Sequence, residues 1–142
     1  MDIRFIAGFG PITRSGEAGL AFWASALGLR FDEMAPDHHH AHELPGANVF
    51  GLWPLAQAAA ATFGVEEWPA DRPVPQAWVE FEMVSPEAVE AGAVELVEGG
   101  HEVLRGAHQE PWGQWVARLQ SPEGLLVGLS YLRDFHPEAA IR

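Results

Sequence analysis

Ala77-Trp78-Val79-Glu80-Phe81-Glu82-Met83-Val84-Ser85-Pro86-Glu87 changes its periodicity halfway along. Up to Val84 the residues alternate. Trp78, Glu80 and Glu82 share one face, and Val79, Phe81 and Met83 the other, which predicts a strand over Ala77–Val84. Ser85 then suits a helix N-cap, Pro86 the first helical position and Glu87 the first turn. Val89, Ala93, Leu96 and Val97 predict the buried stripe of that helix, and Gly99-Gly100 stops it. A strand over His101–Ala107 follows. Gln114–Gln120 and Leu125–Leu132 then form a hairpin around Ser121-Pro122-Glu123-Gly124. The order is β-α-β-β-β.

The same order stands 70 residues upstream. That shift lays Ser15, Glu17 and Ala18 on Ser85, Glu87 and Ala88, and Phe5–Ile12 on Pro75–Glu82. Leu20, Trp23, Ala24 and Leu27 make a helical stripe ending at Gly28. Strands are expected over Leu29–Met34, His38–Leu44 and Ala47–Trp53, with turns at Pro36-Asp37 and Pro45-Gly46. A short helix is expected over Pro54–Phe63. Val49-Phe50-Gly51-Leu52-Trp53 also has its counterpart in Leu126-Val127-Gly128-Leu129-Ser130. The expectation is one α+β domain of two modules: module one 1–64, a Pro-rich linker 65–76, module two 77–133 and a C-terminal tail 134–142. Half-domain repeats bury their apolar faces against each other, so curved mixed sheets around a cavity, with helices on the outer faces, are expected. That cavity is the expected ligand site.

Composition narrows the chemistry. The 142 residues carry no cysteine, so thiolate catalysis and thiolate metal sites are excluded. All eight cationic side chains are arginines, which excludes a lysine Schiff base. A net charge of −12 gives no footprint for nucleic acid and favours cationic ligands. No apolar run is long enough to span a membrane, and the N-terminus lacks a basic, apolar leader pattern. A cytoplasmic location is the expectation.

Two βαβββ modules, with Leu20-Ala21-Phe22-Trp23 leading to Leu27-Gly28-Leu29 and with Pro122-Glu123-Gly124 before the last strand, resemble the vicinal oxygen chelate superfamily. That group includes glyoxalase I, extradiol dioxygenases and bleomycin-resistance proteins. The resemblance implies a homodimer. Its metal enzymes hold a divalent ion with His, Gln or Glu from the first and last strand of each module. Those positions correspond here to Gly8, Gly51, Trp78 and Gly128, and none of these side chains ligates a metal. The chain therefore resembles the binding branch of the superfamily, and a non-enzymatic role without metal or other cofactor is expected.

On the expected cavity face, Trp78, Glu80 and Glu82 would form an aromatic and acidic wall suited to a cationic or aromatic small molecule. Trp53 and Trp112 are further aromatic contacts. Gly8, Gly51 and Gly128 either leave the wall open or accommodate Trp53 or Trp78 swung inward. Arg118 is expected to reach Glu80 or Glu82. The rival reading is a metal-dependent lyase or dioxygenase. His38, His40 and His42 fall at i, i+2 and i+4 on a strand, a spacing at which imidazoles bind transition metals. His101, His108 and His136 carry no pattern.

Overall fold

A computed structural model describes residues 1–137. The last part of the expected tail, 138–142, lies outside the described residues. The fold is α+β, with strand, helix and three strands in each half. The chain divides into two compact units, one of Gly8–Trp78 and one of Met1–Ala7 with Val79 onward.

The Gly8–Trp78 unit holds most of β1 (Phe5–Thr13), then α1 (Gly16–Leu20), β2 (Asp32–Ala35), β3 (His38–Ala41), β4 (Val49–Pro54) and α2 (Leu55–Phe63). Its strands run in the order β2-β3-β4-β1. β3 is antiparallel to both β2 and β4, and β1 is parallel to β4. Ser15 caps α1 as expected, its Oγ accepting the Ala18 N–H at 3.2 Å. The helix then widens into a π-helical turn, Ala21–Ala26, where Leu27 N–H reaches back to Phe22 C=O. The wider turn breaks the predicted stripe. Leu27 is 53% exposed, while Leu29 and Phe31 join Leu20 and Trp23 against Ala41, Phe50 and Leu52. Those two residues pack without pairing, so β2 begins at Asp32 rather than Leu29.

The other unit holds most of β5 (Ala77–Glu82), then α3 (Pro86–Glu98), β6 (Arg105–Gln109), β7 (Trp115–Gln120) and β8 (Leu126–Tyr131), ending in a 3-10 turn at Arg133–Phe135. Its strand order is β5-β8-β7-β6. β7 and β8 form the predicted hairpin, with Gly124 at φ +89 in its turn. Ser85 caps α3, with Oγ 3.1 Å from Ala88 N. Met83, Val89, Ala93, Ala117 and Leu129 make the core. Val89 is wholly buried, worth about 1.5–3 kcal/mol for a side chain of its kind. Val97, predicted to be inside, is 57% exposed. Gly92 takes the inner face instead, so close to β8 that a Cβ there would stand 2.9 Å from Leu129 Cδ1. A glycine has no hydropathy signal, and the stripe is misread by one position. β6 likewise starts at Arg105, four residues later than expected, although Leu104 N–H already bonds Arg118 C=O.

Candidate functional site

In the Gly8–Trp78 unit the glycines are covered by one indole. Trp78 is 6% exposed, and its Nε1–H donates to Gly51 C=O at 3.1 Å. A Cβ at Gly8 would stand 3.0 Å from Trp78 Cη2, and one at Gly51 3.1 Å from Trp78 Cζ2. The Trp53 ring meets Trp78 edge-on, at 6.1 Å between centroids. Of the two alternatives for these glycines, Trp78 swung over them is the one observed. Alternation alone gives the face of Trp78 but not its rotamer.

The other unit brings together Glu80, Glu110, Gln114, Arg118 and Gly128. Arg118 faces Gly128 across the β7–β8 ladder and is 1% exposed. Its Nη1 donates to Glu110 Oε1 at 2.8 Å, and its Nη2 stands 3.9 Å from Glu80 Oε2. Gln114 Nε2 donates to Glu80 Oε1 at 2.8 Å. Gly128 makes room for Glu80, whose Cγ would lie 2.9 Å from an added Cβ. Burial pushes the Glu80 carboxyl above its ordinary range, with Arg118 and Gln114 pulling it partly back. At Glu110 burial also pushes upward. There the hydrogen bond and charge of Arg118, joined by His108, outweigh it and hold the carboxyl low. His108 Nε2 lies 3.0 Å from Glu110 Oε1. Trp112 sits in the β6–β7 turn, 58% exposed, its Nε1–H donating to Gln114 Oε1 at 2.9 Å.

Glu82 belongs to a different network from Glu80. It is fully buried and accepts from Ser130 Oγ at 2.8 Å, from Leu132 N–H at 2.7 Å and at His136 Nε2, 2.8 Å away. His136 stacks on Tyr131 at 4.7 Å. Burial raises the Glu82 carboxyl, and these bonds offset part of the rise. Of the two partners expected for Arg118, Glu80 is the one it reaches, and the unexpected Glu110 makes the shorter contact. The parts played by Glu110, His108, Gln114 and His136 were not read from the sequence, because each depends on a partner brought close by the loops and the tail.

The histidine run alternates as expected. His38 and His40 share a face, with Nε2 atoms 2.9 Å apart, and the His42 ring follows at 5.4 Å from His40. His39 points the other way, buried, its Nε2 3.5 Å from Glu33. Among the described residues no group of three or more His, Cys, Asp or Glu is gathered to hold a metal, so the three-imidazole centre of the rival reading is not assembled.

Among solved structures, the chain matches a glyoxalase/bleomycin resistance protein/dioxygenase superfamily member from Vibrio splendidus. The match covers 92% of this chain and 100% of that one, with a TM-score of 0.60 and 12% identity. Methylmalonyl-CoA epimerase from Streptomyces coelicolor matches over 92% and 98%, at TM-score 0.54 and 15% identity. A Legionella pneumophila chain described as an NAD-dependent benzaldehyde dehydrogenase matches over 88% and 97%, at TM-score 0.57 and 13% identity. No family model and no curated protein matches the sequence. The chain has the vicinal oxygen chelate fold. Neighbours with such different descriptions define an architecture, and the site must carry the function.

Proposed function

We propose that this chain binds a small organic cation, and that it does so without a metal at the four strand positions used by the superfamily's metal enzymes. One observation carries the reading. Arg118 gives Glu110 its close contact at 2.8 Å and leaves Glu80 at 3.9 Å. Glu80 is a carboxylate taken out of water with a weak share of a guanidinium, and it keeps 15% of its side chain open. A ligand cation adds a closer positive partner than Arg118 and favours the ionised form. Trp112, exposed beside Gln114, offers an aromatic face for the same charge. The net charge of −12 draws cations toward the protein. The indole over Gly8 and Gly51 supports the metal-free part, since it occupies the space a ligating side chain would need. Trp53, Trp78, Gly8 and Gly51 pack together within the Gly8–Trp78 unit, and Gly128 makes room for Glu80.

Benzyltrimethylammonium is the probe, followed by tryptophan fluorescence. The parent protein binds it saturably, and the neutral analogue benzyl alcohol does not compete. Glu80→Gln weakens binding about tenfold or more, the worth of one charge-assisted contact. Equal affinity in Glu80→Gln overturns the assignment. The homodimer, the cytoplasmic location and the module boundaries at 64 and 77 belong to the same proposal. Analytical ultracentrifugation checks the first of these. Among the described residues, no helix is long and apolar enough to cross a membrane.

A further inference from the structure

His38 and His40 project from the same face of β3, their rings at 82° and their Nε2 atoms 2.9 Å apart. At that distance the contact is an N–H···N hydrogen bond in which one imidazole donates and the other accepts. Neutral imidazole is the form that ligates metal. Coordination needs no proton to leave, because the donating ring only moves its hydrogen from Nε2 to Nδ1.

The spacing selects the ion. Metal–imidazole bonds are about 2.0–2.1 Å long. Two such bonds drawn to nitrogens 2.9 Å apart meet at about 90°. That is the angle between neighbouring ligands of a tetragonal ion, well below the tetrahedral angle zinc adopts in structural sites. We propose that His38 and His40 form a two-imidazole site for a tetragonal late first-row dication, Cu²⁺ or Ni²⁺, bound through both Nε2 atoms. Gly51 gives the site its room. It pairs with His40 across β3 and β4, and a Cβ there would stand 2.9 Å from His40 Cδ2. The Trp53 ring lies 6.1 Å from the His38 ring on one side, and His42 continues the row on the other. With two protein ligands, the remaining positions belong to water or to a small oxygen donor.

Neither proposed ligand, His38 or His40, takes part in the organic-cation reading, and each proposal stands or falls without the other. The test is a titration of tag-free protein with Cu²⁺ at pH 7, read by calorimetry and by electron paramagnetic resonance. The expected result is one tight equivalent per chain, with hyperfine splitting from two nitrogens. His38→Ala and His40→Ala each weaken that equivalent about tenfold or more, as loss of a metal's supporting contacts does at minimum. His40→Gln, closer in size to the histidine, repeats the loss in a variant whose circular dichroism matches the parent. His101→Ala, an exposed histidine in the other unit, leaves binding unchanged. Undiminished Cu²⁺ binding in His38→Ala and His40→Ala overturns the proposal. So does binding spread over several weak sites, which would mark adventitious histidine capture.

Discussion

The two units handle bare strand positions in opposite ways. In the Gly8–Trp78 unit, two glycines lie under a single indole whose polar atom is satisfied by the Gly51 carbonyl. In the other unit, Gly128 lies under the methylenes of Glu80, and the head of that side chain enters a charged network with Arg118 and Gln114. The same vacancy is filled by an apolar plate in one case and by a buried ion in the other. Glycine at a strand centre thus reports that space is taken, and its neighbours decide whether the occupant is inert or reactive. The second solution leaves a carboxyl whose proton affinity burial has raised, and the ligand-binding proposal rests there.

Three experiments can break or sharpen the contrast. The largest effect belongs to Trp78→Ala. If the indole is packing, its loss opens a cavity over Gly8 and Gly51 and costs about 3–5 kcal/mol in urea unfolding. A cost below about 1 kcal/mol would mean the plate is dispensable. Next comes Glu110→Gln, which removes the charge held by Arg118. Because the Glu110 carboxyl is held low in the folded protein, its contribution is fully present above the ordinary carboxylate range and is lost as pH falls through the folded value. The variant should therefore be about 2 kcal/mol less stable than the parent at pH 7, a hydrogen bond to a charged group. The gap should close in acid. Glu80 and Glu82, both raised, act with the opposite sign, their contribution fading as pH rises. A gap independent of pH would show that Glu110 is not the ionised partner. The smallest effect compares the two caps. Ser85→Ala should cost about 1 kcal/mol at the thirteen-residue α3, and Ser15→Ala less at the five-residue α1. Equal costs would show that the π-helical turn continues α1 as a full helix.

The repeat, both serine caps and the β7–β8 hairpin were legible because each depends on residues close in sequence. The alternation on β5 correctly separated Trp78, Glu80 and Glu82 from Met83. It could not say that Glu80 and Glu82 would join different networks, since their partners come from Gln114 and Arg118 in one case and Ser130 and His136 in the other. The wide turn at Ala21–Ala26 also escaped a reading based on 3.6-residue periodicity. His136 escaped because a single histidine far from its carboxylate leaves no spacing to notice.

Gly10 and Gly51 approach so closely that a Cβ at position 10 would run into the Gly51 carbonyl oxygen. A side chain at 51 would meet Trp78 and His40 together. Single substitutions toward a donor at position 51 are therefore opposed by the packing. Enlarging 51 first collides with the indole, and shedding the indole first leaves a hole. Positions 51 and 78 are thus sterically coupled, and a laboratory search for new chemistry at 51 must change both residues in the same library.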